Sequence, residues 1–293
     1  MVTVVNRRKG NQNYYYLYHD SKKEKRRQRE EYLGKVIPAD IENRKKNFAL
    51  RIEREEWIPS LEKIYRNYKK EQNKIPPSIQ EKNLNSFSVR FTYNTQRIEG
   101  STLTLKDTFF LLEYGLTPPN RPSRDIKETE IHQKLFLDVI KQKEDLSLNV
   151  VKKWHKKLFV QTKPDMAGLF RDYDVVIGQS QFIPPSHTAV KLLVTGFFKW
   201  YNANKKKLNP VELAALAHLK FVTIHPFGDG NGRTTRLMMN HVLNKFGYPL
   251  LDIDYGDRRS YYNALERSQI NDDDLPFLKW FMKRYFKSCK NYL

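Results

Sequence analysis

Apolar positions recur at helical spacing along most of this chain. From Asp40, a plausible cap, a stripe of Ile41, Phe48, Ile52, Trp57, Leu61, Ile64 and Tyr65 predicts one long helix toward Gln72. The Pro76 and Pro77 pair breaks it. Beyond Ser78 the same periodicity predicts helices over 79–98, 104–114, 124–143, 147–159, 187–202, 209–224, 231–246, 257–269 and 274–290. Gly100 and Gly115 stand where helices stop, Thr104 where one starts, and Pro210 just inside another. Two segments break the pattern. Residues 13–19 and 32–38 are aromatic and β-prone around a charged turn, Asp20 to Glu31, and predict a hairpin or small sheet. Residues 171–183 hold Val175, Val176 and Ile177, a Gly178-to-Ser180 turn, then Phe182 and Ile183, with Pro184 and Pro185 at the exit, and predict a short β-hairpin. The expected architecture is an all-α bundle with one β-hairpin excursion (residues 78–293) and a small amino-terminal hairpin-plus-helix extension (residues 1–77).

Composition narrows the function classes. The longest apolar runs, such as Phe109 to Leu112, are too short to span a bilayer, and the amino terminus lacks a secretory pattern, so the expectation is a cytoplasmic protein with no membrane partner. One cysteine, Cys289, builds neither an internal disulfide nor a thiolate cluster. The net charge of +20 attracts polyanions, and the first fifty residues are the most basic part, with thirteen Lys/Arg against six Asp/Glu. Aromatics among these cations make residues 1–38 a candidate nucleic-acid contact. An arm that packs on the rest of the chain is the alternative there.

The chemistry concentrates in residues 225–236. An apolar helix ends against Pro226, a loop with glycines at 228, 230 and 232 follows, and a second helix begins. Backbone N–H groups at such a helix start, with its dipole, form an anion site. Arg233 and Arg236, one turn apart, can grip phosphate oxygens in a forked geometry. Asp229, among phosphate donors, suits a divalent cation such as Mg²⁺, which takes one or two carboxylates plus substrate phosphates. His225 at the lip can accept a proton near neutral pH. No Gly-Lys-Ser/Thr follows the loop, which argues against a P-loop ATPase. His218, seven residues before His225, lacks the spacing for zinc; His155 beside Trp154 reads as a packing residue, and Asp272 to Asp274 as a helix cap.

His225, Pro226, Phe227, Asp229, Gly230, Asn231, Gly232, Arg233 and Arg236 together match the active-site pattern of the Fic-domain family at every defining position, and the resemblance runs from about Ser86 to the carboxyl terminus. It implies a helical bundle with a hairpin flap and an enzyme that moves AMP from ATP to a Ser, Thr or Tyr hydroxyl of a target protein. On that resemblance His225 is the general base and Asp229 holds Mg²⁺ or Mn²⁺. Phe227, Gly228, Gly230, Asn231, Gly232 and Arg233 line the nucleotide phosphates, and Arg236 takes the γ-phosphate. The related death-on-curing kinases carry Lys where Gly232 stands, so adenylylation is the expected reaction. Thr95, Glu99 and Gly100 resemble the family's inhibitory-helix motif, which implies that a helix over about 79–99 presents Glu99 to Arg236 and blocks productive ATP binding. In some relatives this glutamate also assists removal of AMP. Val175, Val176, Ile177, Phe182 and Ile183 match the flap that docks the target by strand addition. Tyr262, in a segment like the one closing the adenine pocket, is the candidate base contact. Self-modification and homodimerisation are further implied partners. Against this stands a different class of function, a nucleic-acid-binding regulator whose loop only senses nucleotide.

Overall fold

The structure, a computed structural model, describes residues 2–20, 28–178 and 180–293. It divides into two compact units, Met1–Leu61 and Glu62–Leu293. The division falls inside the long helix α1 (Ile41–Gln72), not at the Pro76 and Pro77 pair. The reason is visible in what the last turns of α1 touch: the Tyr65 ring lies 5.2 Å from Tyr248, and Asn67 donates to the Tyr292 carbonyl at 2.8 Å. These contacts tie the end of α1 to the larger unit.

In the first unit the expected hairpin is a three-stranded antiparallel sheet, β1 (Val2–Lys9), β2 (Gln12–Asp20) and β3 (Gln28–Gly34), in the order β1-β2-β3. β1 is the strand that the aromatic pattern did not reveal, because it turns from apolar to basic half-way along. Its pairing, Lys9 opposite Gln12, leaves a two-residue turn with Gly10 at φ +61°. Of the stretch expected as a charged turn, Asp20 to Glu31, Asp20 belongs to β2 and residues 28–31 to β3, while residues 21–27 lie outside those described. One sheet face is apolar: Val2, Val4, Tyr15, Leu17 and Leu33 pack with Ile41, Phe48 and Ile52 of α1.

The second unit is helical: α2 (Pro77–Ile98), α3 (Leu105–Tyr114), α4 (Ser123–Lys141), α5 (Leu148–Phe159), α6 (His187–Asn204), α7 (Pro210–Ile224), α8 (Asn231–Lys245), α9 (Arg258–Ile270) and α10 (Leu275–Ser288). The punctuation behaves as read. Thr104 and Asp107 form a reciprocal capping box on α3, Gly115 closes it at φ 66°, and Pro210 opens α7. α7 is buried along most of its length and is the central helix; Leu213, Ala214, Ala215 and Ala217 are fully buried. Small residues there let α8 pack closely, with α2, α4 and α5 against α8 and with α6 and α10 against α7. The two innermost helices thus meet head to tail at the 225–230 loop, which fixes that loop by packing on both sides.

Among the described residues, 171–186 form no strand, so the predicted β-hairpin is instead an irregular loop; Gln179, in its expected turn, is outside the described residues. Side chains take up the backbone groups that a cross-strand partner would have taken. Arg171 donates to the carbonyls of Tyr173 and Pro185, Ser180 N–H closes a turn on Ile177 at 3.1 Å, and Glu266 of α9 accepts from Gln181 N–H at 2.6 Å and Ser180 Oγ at 2.9 Å. No helix among the described residues is long and apolar enough to cross a membrane.

Candidate active site

His225 ends α7 in the left-handed region, φ 51° and ψ 56°, an uncommon conformation for a residue with a side chain. Such strain persists where surroundings over-determine it. Here Arg171 accounts for that. Its buried guanidinium donates to the His225 carbonyl at 2.8 Å, and its own N–H donates to the Pro226 carbonyl at 3.0 Å. The His225 Nδ1 lies 3.2 Å from the Val222 carbonyl, an acceptor only, so the proton sits on Nδ1 and the Nε2 lone pair is available. Burial lowers the imidazole pKa, opposed by the Val222 carbonyl and by the Glu99 charge. The ring is therefore a neutral base at neutral pH.

The rest of the loop is built around two struts. Asn231 accepts from Phe227 N–H at 3.0 Å and donates to the Phe227 carbonyl at 2.8 Å, so its side chain braces the loop. Phe227 is a second support. It is fully buried and stacks on the His155 ring at 3.8 Å, so it anchors the loop from below. His155 does pack, and also bonds: it accepts from Gly168 N–H at 2.9 Å through Nδ1 and so donates from Nε2 to the Asp229 carbonyl at 2.9 Å. The glycines are required for room. A Cβ on Gly230, at φ +75°, would sit 2.2 Å from the Phe159 ring, and one on Gly228 would sit 2.3 Å from the Tyr173 hydroxyl.

α8 begins at Asn231, and its first turn faces a carboxylate supplied by the end of α2. Glu99 Oε1 accepts from Arg236 Nη2 at 2.6 Å. A Cβ on Gly232 would lie 2.3 Å from that same oxygen. The carboxylate thus stands where a helix amino terminus holds an anion. Arg236 is buried, and Thr95 completes its surroundings, accepting at its hydroxyl from Nε at 3.2 Å and at its carbonyl from Nη2 at 3.4 Å. Gly100, at φ 96°, stops α2 just after Glu99, with Ser101 N–H returning to the Gln96 carbonyl at 2.9 Å. Arg233 is equally committed: it pairs with Glu128 of α4 and with Asp229 at 3.1 Å, and lies over the Phe159 ring at 4.6 Å. Residues 145–243, from the approach to α5 almost to the end of α8, match the family model described as the Fic/DOC family.

The chain carries a Fic/DOC domain. It is 34% identical to the protein adenylyltransferase Fic of Drosophila melanogaster over 206 residues, which are 69% of this chain and 41% of that relative. To the protein adenylyltransferase Fic of Nematostella vectensis it is 31% identical over 207 residues, 69% of this chain and 48% of the relative. It therefore spans less than half the length of these curated relatives. Among solved structures, a Fic-domain-containing signalling protein from Bacteroides thetaiotaomicron superposes with a TM-score of 0.72 at 29% identity, covering 79% of this chain and 94% of that one. Residues 134–508 of Fic-1 from Caenorhabditis elegans superpose with a TM-score of 0.72 at 26% identity, covering 86% and 75% respectively.

Within the Fic loop Asp229 is kept ionised. Burial pushes its carboxyl up, but Arg233, Lys163 and Gly230 N–H overcome this and hold its pKa at about 2. Lys163 pairs with Oδ2, the oxygen that Arg233 and Gly230 leave. No group of three or more His, Cys, Asp or Glu suited to a metal occurs among the described residues. A lone carboxylate already facing an ammonium fits Mg²⁺ or Mn²⁺ completed by phosphate and water, and does not fit zinc.

Tyr262 is half-exposed, with Arg258 at 5.6 Å from its ring and its hydroxyl donating to the Ile98 carbonyl at 3.2 Å. It thereby ties α9 to the α2 end that carries Glu99. In the flap loop Val176 and Ile183 are exposed, while Val175, Ile177 and Phe182 are half-buried. His218 meets the Tyr261 hydroxyl at 2.9 Å, a packing partnership. In the Asp272-to-Asp274 run the cap comes from Asp273, which accepts from Leu275 N–H at 3.0 Å, while Asp274 pairs with Lys220 at 3.1 Å. Sequence reasoning missed Arg171, Lys163, Glu128 and Tyr261. For Glu128 a signal existed: with Asp125, Thr129 and His132 it lines a face of α4 that is polar yet buried.

Proposed function

We propose that this chain is a protein adenylyltransferase that moves AMP from ATP to a target hydroxyl (Ser, Thr or Tyr, its own included) and that Glu99 holds it in an autoinhibited state. The observation that carries this reading is the Glu99–Arg236 pair at 2.6 Å, seated over Gly232 at the start of α8, in a loop whose histidine is neutral and proton-accepting. His225 takes the proton of the attacking hydroxyl at Nε2 as that oxygen bonds to the α-phosphorus and the bond to the departing pyrophosphate breaks, while Val222 fixes its tautomer and Arg171 fixes its backbone. The first turn of α8, with Arg233, stabilises charge developing on phosphate oxygens. Arg236 takes the terminal phosphate once Glu99 withdraws. Asp229 would hold Mg²⁺ in place of Lys163, and the ion would supply charge neutralisation to the phosphate oxygens. The exposed apolar side chains of the flap loop guide the target segment across the site.

The test separates the donor chemistries. Glu99→Gly protein is incubated with a cell lysate, Mg²⁺ and ATP labelled at either the α- or the γ-phosphate. Transfer of α-label, with an AMP-sized mass increment on protein, is the expected outcome. Transfer of γ-label alone would make the enzyme a kinase and overturn the reading.

A second activity, removal of AMP, is favoured by the charge of Glu99, which acts on the buried His225 imidazole. A pre-modified target should then lose its label with wild-type protein and keep it with Glu99→Gly. Equal loss in both would rule this out.

A further inference from the structure

The sheet of the amino-terminal unit has a second face, which the apolar contact with α1 leaves untouched. Strand alternation divides the residues cleanly. Val4 pairs with Leu17 on the face packed against α1. Arg7 pairs with Tyr14, and Tyr16 pairs with Tyr32, on the other. That other face holds Tyr14, Tyr16 and Tyr18 from the central strand and Tyr32 from β3. Tyr32 is 50% exposed, and its ring centroid lies 5.2 Å from Tyr16 and 6.3 Å from Tyr14. Four tyrosines on one side of a three-stranded sheet, with Val5 opposite Tyr16, are not explained by the core of this unit, whose buried Leu17 and Leu33 pack on the opposite side.

Cations accompany the rings. The Arg7 guanidinium is 5.1 Å from the Tyr16 ring centre and the Lys35 ammonium 6.0 Å from that of Tyr14. Lys9 belongs to the same face by register. Among the described side chains there, Glu30 is the single carboxylate, and Arg7 neutralises it. An apolar protein partner would gain little from hydroxyl-rimmed rings set among cations. A duplex offers phosphates but no base faces to stack. A single-stranded nucleic acid offers both, bases for the rings and phosphates for the cations.

We infer that this tyrosine face is a binding site for single-stranded nucleic acid, with bases stacking on Tyr16 and Tyr32 and phosphates contacting Arg7, Lys9 and Lys35. The site shares no residue with the Fic loop, and the inference does not rest on the adenylyltransferase reading.

The experiment uses the full chain and fluorescein-labelled oligo-dT and oligo-U, read by anisotropy at low and raised salt. Wild-type protein should bind both, with affinity falling as salt rises. Tyr16→Leu/Tyr32→Leu keeps apolar volume but removes the π faces, and should weaken binding roughly 5- to 100-fold, the range for losing one base stack or more. Tyr16→Phe/Tyr32→Phe should bind like wild type. Arg7→Ala/Lys9→Ala leaves the rings in place and should flatten the salt dependence; it serves if the leucine variant does not fold. Absence of salt-sensitive binding, equal affinity of the leucine and wild-type proteins, or equal affinity for a duplex of the same length would overturn the proposal. So would capture by phosphatidylserine vesicles with no oligonucleotide binding.

Discussion

His225→Ala, placed in the Glu99→Gly background, should reduce AMP transfer by about 10²- to 10⁴-fold, the usual contribution of a positioned general base. The ring is held by Val222 on one nitrogen, and the backbone beneath it is held at a strained φ of 51° by Arg171. Nucleotide binding, measured separately, should change little, because the phosphate-facing groups belong to α8 and not to the imidazole. The pH profile gives an independent check. Burial lowers the His225 pKa, so the base stays unprotonated, and the rate constant, below the ordinary histidine value near 6.5. Glu99 raises that pKa against the effect of burial, so removing Glu99 should move the acid limb lower still. An acid limb at or above the ordinary histidine value in the Glu99→Gly protein, or a His225→Ala rate within a few-fold of its parent, would remove His225 from the role of base.

The loop and the segment around Glu99 were legible because each is local in the chain. Glycines at 228, 230 and 232, the histidine before them and the arginines after them are consecutive, and the helix start that follows dictates an anion site by itself. Glu99 and Arg236 are far apart in sequence and were joined only by the resemblance of each segment to a motif of the Fic-domain family. What could not be read were the supports whose meaning arises only in three dimensions. Arg171 looked like the first residue of a hairpin; in the fold it satisfies carbonyls at both ends of the flap loop and in the catalytic loop. Phe227 and Asn231 lie inside the motif, and only the fold shows that the buried ring of one and the two backbone bonds of the other also brace the loop. The flap failed as a hairpin because alternation of apolar residues predicts extended backbone, not a partner for it, and here Glu266 and Arg171 are the partners. β1 was hidden for the opposite reason: its basic half carries no apolar periodicity, and only pairing with β2 reveals it.

Removing the Glu99 carboxylate should destabilise the ligand-free protein by about 2–3 kcal/mol, at the low side of what breaking a buried ion pair costs, because Glu99 itself is partly exposed. Arg236 is the reason for a cost of this size. Its side chain is 1% exposed, and without Glu99 its charge keeps only the Thr95 oxygens and the more distant Tyr261 hydroxyl. Glu99→Gln, which preserves shape, should show most of the loss, separating charge from packing. The missing anion can be replaced by a ligand. Saturating ATP with Mg²⁺ should therefore raise the melting temperature of either variant much more than that of wild type, since binding at a hundred times Kd contributes about 2.7 kcal/mol and wild type must first expel its own carboxylate. AMP, which has no terminal phosphate to offer Arg236, should stabilise all three proteins alike. This pattern across two nucleotides distinguishes competition for one arginine from a general tightening of the fold. Equal ATP-induced shifts in wild type and variants would mean that Glu99 and the terminal phosphate do not share a site, and the autoinhibited state would have to be abandoned even if AMP transfer itself were observed.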